Sequence, residues 1–338
     1  MDRSGGHAPS PWPYRCRNDD VRFSKRSGKR DATRGRCSWR AREAHRTARH
    51  ELAGLVCNVH RSGTSWDRIA EVDAEANGWI AFVLIFHLSS KSQGGWCDKQ
   101  AENGDCNGSF ARHRSGVVQS FLDRGYNVVA NSRNIRESGA FTDSDHLALV
   151  DGNIGQHAVA SKIVVTAVQE FGSIDALVNN AGIFFTKTFT DYSAEDFRTL
   201  SSTNLEGFLY VTQGAVRQML AQKSGGSVVT ITASLVANPI AGITASVPMI
   251  TKSGLEGVTR SLAAEYAKDK IRFNAVAPGV VDTPLHKNNP KDFLKTLSPM
   301  GTISEVKDIA EAVIYLTEAR QVTGEVLHVD GGAHSGKW

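Results

Sequence analysis

Three polar residues, Asn204, Ser234 and Lys252, stand where a chain of alternating strands and helices could gather them. Asn204 falls in a long helical pattern. Ser234 closes the strand-like run over residues 226–233, and Lys252 lies near the start of another helical pattern. They supply a carboxamide, a hydroxyl and an amine. An acid is what they lack. Proton transfer near neutral pH needs a donor whose pKa lies near the working pH. No tyrosine occurs between Tyr210 and Tyr266, and Thr244, Ser246 and Thr251 carry only alcohols, far weaker acids than a phenol. Pro248, four residues before Lys252, has neither a hydroxyl nor an ionisable group. His286 is a titratable alternative, with an ordinary pKa of about 6.5, although a lone loop histidine is more often just solvent-exposed. Taken singly, each residue also has a plain structural reading: Ser234 as a strand-end cap, Lys252 as a solvated helix lysine, Asn204 as a helix-bending polar group.

The elements that must position these residues follow from periodicity. Residues 117–122 read as a helix ending near Gly125, which suits a helix C-cap. Short apolar runs at 127–130, 147–150, 176–179, 227–232, 271–276 and 325–329 read as strands. Helical patterns lie between them at 161–171, from Ser193 to about 221 with an interruption near Ser201, at about 248–267, and from a Ser304 cap to 316. Strands alternating with helices imply an α/β fold with a Rossmann-like doubly wound parallel sheet, right-handed crossovers and a ligand crevice at the carboxyl ends of the strands.

The ordered motifs Asn179-Asn180-Ala181-Gly182, Asn204, Ser234, Lys252, Pro278-Gly279 with Thr283-Pro284, and Val329-Asp330-Gly331-Gly332 resemble the short-chain dehydrogenase/reductase family over about residues 117–333. The resemblance implies an NAD(P)-dependent oxidoreductase that moves a hydride between nicotinamide and a small carbonyl or alcohol. It implies that Asn204, Ser234 and Lys252 are catalytic, the serine polarising the carbonyl, the lysine holding the ribose and tuning a tyrosine, the asparagine supporting a proton-relay water. The family's tyrosine position is Pro248 here, so the chain also resembles a branch that lacks this residue. Either it catalyses without the phenol, or it is a catalytically impaired nucleotide-binding protein or a damaged gene product.

By the same resemblance, Asp151, Asn180, Ala181, Gly182, Lys252, Pro278, Gly279 and Thr283 contact the cofactor. Gly182 lets backbone approach a ligand closely, and Asp151 has a turn-forming alternative. After the second strand comes Asn131-Ser132-Arg133 with no acid to hold ribose hydroxyls. Arg133 offers a bidentate fork to a 2′-phosphate, which favours NADP over NAD. The family commonly pairs the helices at about 203–221 and 249–267, so a homodimer or homotetramer is expected. No metal, nucleic-acid or membrane partner is expected, and the expected location is cytoplasmic.

The first 116 residues differ in kind. They hold 20 Lys and Arg against 13 Asp and Glu, all five cysteines and five of the six tryptophans; the remainder carries a net −3. Residues 1–116 therefore read as a low-order, Arg-rich extension without a recognised domain, and residues 117–338 as the oxidoreductase-like domain. Too little apolar surface is present in residues 1–50 to offset chain entropy. Cys57-x-x-His60 is a lone half-site for zinc. One apolar run, WIAFVLIF at 79–86, is too short to span a membrane.

The family's first strand and its turn T-G-x-x-x-G-x-G are missing from the frame: before Val117 stands CNGSFARHRSG. One permitted coding string for those residues, read one nucleotide later, gives Val-Thr-Gly-Ala-Ser-Arg-Gly-Ile-Gly-Ala and then glycine. A frameshift restored near Gly116 accounts for this, and an unrelated authentic extension is the alternative. Without a first strand the sheet has two unpaired inner edges, unless the run at 79–86 fills the slot.

Overall fold

The computed structural model describes residues 83–88, 116–286 and 288–336. Expectations for the Arg-rich stretch fall outside these residues. Seven strands form one sheet in the order β3-β2-β1-β4-β5-β6-β7. They are β1 Val83–Leu88, β2 Tyr126–Ser132, β3 Leu147–Asp151, β4 Ala176–Asn179, β5 Gly226–Ile231, β6 Ile271–Pro278 and β7 Val326–Val329. The helices are α1 Gly116–Leu122, α2 His157–Phe171, α3 Ala194–Ser201, α4 Gly207–Gln222, α5 Ser246–Glu265, α6 Lys291–Lys295 and α7 Val306–Glu318.

Sheet residues alternate between two apolar layers. Val128 and Ala130 pack with Phe121 of α1 and Val313 and Leu316 of α7. Val129 faces the other way, with Ile163 of α2, Val211 of α4 and Phe273 of β6. This is the period of two expected of a strand with both faces covered.

The central slot corrects the expectation of a missing first strand and an all-parallel sheet. Val83–Leu88 fills the slot, overlapping the apolar run noted above, but runs antiparallel to both neighbours: Leu84 pairs with Ala130 and Leu88 with Tyr126, while Val83 pairs with Asn179. The other pairings are parallel. A slot flanked by two strands demands backbone donors and acceptors on both sides, and either polarity supplies them. An apolar run can therefore enter in reverse.

Other boundaries move for local reasons. Ser193 caps α3 through a capping box with Asp196. The interruption near Ser201 is one π-helical turn, Ser202–Glu206, that carries Asn204. Ser304 does not cap α7; its backbone N–H donates to the Val280 carbonyl, and Glu305 takes the cap. Among the described residues no helix is long and apolar enough to cross a membrane.

Candidate active site

The six parallel strands end on one edge, and the sequence-selected residues gather there. Asn204 is 1% exposed, and its carboxamide is used at both ends. Oδ1 accepts from the Ile183 N–H at 2.8 Å, and Nδ2 donates to the Ile183 carbonyl at 3.1 Å and to Thr251 Oγ1 at 2.9 Å. Thr251 in turn donates to the Pro248 carbonyl at 2.8 Å. One side chain thus ties the loop after β4 to the first turns of α5. The π turn adds a residue to the helix, a device common at functional sites.

Lys252 lies one residue beyond Thr251, buried, with Nζ donating to the Ile231 carbonyl at the end of β5 at 2.9 Å. Burial pulls its pKa down from 10.5 to about 8. Gly182 closes the cluster: a Cβ there would lie 3.1 Å from Lys252 Nζ and 3.3 Å from Asn204 Oδ1. Ser234, also buried, opens a short 3-10 turn just past β5. These three catalytic candidates therefore converge on the strand ends. Pro248 is buried in the first turn of α5, where the absence of an N–H costs nothing.

The fold brings one phenol to this corner from a distance that sequence spacing did not expose. Tyr192 Oη donates to the Phe185 carbonyl at 2.9 Å and lies 3.4 Å from the Thr244 carbonyl. Burial raises its pKa, and its proton is committed to Phe185, so it is a poor acid. His286 lies near Asn289 on the loop after β6, and burial lowers its pKa. A lowered value leaves the imidazole neutral at pH 7 and short of a proton to give.

Two strands away lies a cavity of about 330 Å³. Asn131 and Ser132 of β2, Arg133 directly after it, Gly152 and Asn153 after β3, Ile183 after β4, and Arg198 and Thr199 of α3 line it. Asn131 Nδ2 donates to the carbonyls of Val150 and Gly152, whereas its buried Oδ1 has no partner among the described residues. An orphaned buried acceptor costs free energy unless a ligand or water donates to it. Asp151, the residue before Gly152, has its carboxylate turned to Arg136, accepting from the Arg136 N–H at 3.1 Å and pairing with Nε at 3.3 Å. The sequence did not signal Arg136, Arg198 or the Asn131 acceptor, because each acts through neighbours distant in the chain.

Asn180 and Ala181 follow directly after β4, just ahead of Gly182. On the far side, Gly279 follows Pro278 at the end of β6 and donates to the Val329 carbonyl. A Cβ at Gly279 would lie 2.8 Å from Asp330 Cα, so only glycine fits. Thr283 stands at the head of the next loop, its carbonyl accepting from the His286 N–H.

A family model described as enoyl-(acyl carrier protein) reductase matches residues 115–334. The chain belongs to the short-chain dehydrogenase/reductase family. Its members are NAD(P)-dependent oxidoreductases. The chain is 34% identical over 219 residues to a 3-oxoacyl-[acyl-carrier-protein] reductase of Homo sapiens, covering 64% of this chain and 91% of that protein. It is 38% identical over 172 residues to a 3alpha-hydroxysteroid dehydrogenase of Mediterraneibacter gnavus, covering 49% and 68%. Among solved structures it resembles ElxO with NADP bound, at TM-score 0.61 and 27% identity over 65% of this chain and 94% of that one. A 3-ketoacyl-(acyl-carrier-protein) reductase from Brucella melitensis complexed with NADH gives the same score and identity, over 66% and 93%.

A dinucleotide fits this crevice at one end only. The Asn131–Arg133 cavity suits an adenosine, and Gly182 allows close approach beside Lys252. The pyrophosphate needs a glycine-rich turn leaving the central strand at this edge, and none stands there among the described residues.

Proposed function

We propose that this chain is an NADP-preferring oxidoreductase acting on a small carbonyl or alcohol, with a phosphorylated adenosine seated in the Asn131–Arg133 cavity. The convergence of Gly182, Asn204 and Lys252 beside that cavity carries the reading. Bound NADP(H) would supply the hydride. Ser234 would hold the carbonyl oxygen by its hydroxyl. Lys252, with a pKa near 8, is protonated below that pH and is the acid remaining in the cluster. An ammonium of this kind can donate a proton, and reduction by such a donor fades as pH rises through about 8. Asn204 and Thr251 would fix the lysine's helix relative to the β4 loop. Exposed Leu209 on α4 and Ile250 on α5 support the expected pairing of these helices between copies.

A second reading has its own observation. Pro248 is buried where the family's phenol belongs, which favours a nucleotide-binding protein with little or no turnover.

The adenosine end can be tested in the full chain without relying on the pyrophosphate. Calorimetric titration with 2′,5′-ADP and with 5′-AMP should show the bisphosphate binding about tenfold tighter, a gain of roughly 1.4 kcal/mol. Equal affinities would remove the NADP preference, and no binding of either would remove the adenosine site.

A further inference from the structure

Two imidazoles lie face to face at the carboxyl end of β7, and the site described above uses neither. His328 of β7 and His334 of the 3-10 turn Ala333–Ser335 stack with ring centroids 3.9 Å apart and planes 19° from parallel. Between them in sequence stands Asp330, whose side chain is 1% exposed. Its carboxylate accepts from the Gly332 N–H at 2.9 Å, the His334 N–H at 2.8 Å and His334 Nδ1 at 3.0 Å. An ionised carboxylate only accepts, so Nδ1 carries the proton of that last bond. His328 has no such partner: its Nε2 is buried and unpaired among the described residues.

The turn that Asp330 opens also fastens two loops. Gly331, at φ +61°, presents its carbonyl to Ser298 Oγ and to the Met300 N–H, both at 3.2 Å. Both residues belong to the loop between β6 and α7, which carries Thr283 and His286 and leaves the sheet at the edge where Ser234 stands. From the loop that follows Ser234, Asn238 Nδ2 donates to the Ala333 carbonyl at 2.9 Å. The Asp330–His334 pair fixes the turn, and the turn holds both loops.

Charge around His328 decides when the stack holds. Opposite it on β6 is Ala277. The acidic groups that face it are Asp330 and, from α5, Glu256. Glu256 accepts from Thr232 Oγ1 at 3.1 Å and stands 3.9 Å from the Arg260 guanidinium. The charged residues of α7, Lys307, Asp308, Glu311 and Glu318, are exposed. The two carboxylates favour an imidazolium, but burial and the stacked His334 outweigh them and hold the His328 pKa below 6.5. A ring freed from the stack regains its ordinary value. The open form therefore binds protons more tightly, and opening becomes easier as pH falls from about 6.5 to the lowered value of the stacked ring. Above that window pH has no effect through this group.

We propose that His328, His334 and Asp330 form a proton-operated clamp on the loop between β6 and α7. With His328 neutral, the stacked pair keeps Ser298 and Met300 on the Gly331 carbonyl. Protonation of His328 parts the rings, loosens the turn and releases the loop. His334 and Asp330 are positioning residues, and none of the three belongs to the catalytic cluster. What the loop covers rests on the oxidoreductase reading above; the clamp does not.

The test follows amide hydrogen exchange of the full chain from pH 8 to pH 5, each rate divided by the intrinsic rate at that pH. Protection over residues 294–301 should fall several-fold between pH 7 and pH 5, while β5 and β6 keep theirs. The midpoint should coincide with that of the His328 ring proton signal in a magnetic resonance titration. A loop whose protection ignores pH, or whose midpoint differs from that of His328, would overturn the proposal. His328→Phe keeps a ring in the stack and removes the proton, so the loop should stay protected at pH 5. A pH dependence that survives this change would mean that the ring is only packing. Should the phenylalanine variant misfold, the two midpoints in the native chain still decide. His334→Phe breaks the bond to Asp330 and should loosen the loop already at pH 7; unchanged protection there would also overturn the clamp.

Discussion

The Asn131–Arg133 end of the crevice is furnished with polar side chains, whereas beside the adjacent central strand the described residues supply no glycine-rich turn. The first is assembled from dispersed pieces: Asn131 at the end of β2 and Arg133 just after it, Gly152 after β3, Ile183 after β4 and Arg198 on α3. The second depends on one contiguous turn. Damage to a single stretch of coding sequence removes a contiguous site entirely and spares a dispersed one. The same contrast holds within the catalytic cluster. Asn204 from the π-helical turn bonds to Thr251 of α5, and Lys252, the next residue of α5, bonds to the end of β5. The proton donor was one residue, and that position is Pro248.

The largest effect that sharpens this contrast comes from restoring the single residue. Pro248→Tyr should raise kcat for NADPH oxidation across a panel of small carbonyls. General acid catalysis contributes typically about 10²–10⁴-fold, and the gain should fall in that range. A first helical turn accepts tyrosine as readily as proline. If the proline form already turns over as fast as the tyrosine form, Lys252 or another group suffices as donor, and the bare position is not limiting.

Lys252 should give the next largest effect, on stability. Its pKa falls from 10.5 to about 8 on folding, and burial is the cause. The folded state therefore releases its proton more easily than the unfolded state. Below pH 8 both states hold the proton and the cost of burying the charge is in full force, roughly 3 kcal/mol. Stability should climb as pH rises from about 8 to 10.5, where the unfolded state alone binds the proton. Lys252→Met removes that cost and also the bond to the Ile231 carbonyl, which is worth about 1 kcal/mol. The variant should melt several degrees higher at pH 7, with the gap closing toward pH 10.5. A variant that melts lower at pH 7 would mean the amine is stabilised by a partner, and that the cluster is held together by charge.

Most of the fold was legible because strands buried on both faces and amphipathic helices carry local periods. The capped start of α3 at Ser193 and the glycine after α1 follow from side-chain and backbone chemistry within one turn. Polarity of the central strand was not legible: a ladder accepts either direction, so apolar character alone leaves it open. The cap of α7 passed from Ser304 to Glu305 because Ser304 is held in a bridge with Val281, a contact between segments far apart in sequence. Within the site, Asn204, Ser234 and Lys252 could be chosen from their order along the chain. Tyr192, Arg136 and Arg198 could not, since their partners or walls come from other loops. The orphaned acceptor of Asn131 is likewise a property of packing and has no sequence signature.

The smallest effect tests which arginine makes the adenosine end selective. Arg133 and Arg198 both line the same cavity. Arg198 pairs with Glu195 at 3.3 Å, and both side chains are largely exposed, so its charge is screened by solvent. Arg133 follows β2 directly, on the wall shared with Asn131, and its guanidinium can grip a 2′-phosphate with two parallel bonds. Arg133→Ser should therefore weaken 2′,5′-ADP about tenfold, roughly 1.4 kcal/mol, and leave 5′-AMP unchanged. Arg198→Ser should move both ligands little. The readout separates charge from shape, because a merely structural arginine would shift the two nucleotides together. If Arg198→Ser produces the selective loss instead, the phosphate lies against α3. The adenosine would then sit turned over in the cavity, and its 5′ end would no longer point along the strand ends toward Gly182 and Lys252.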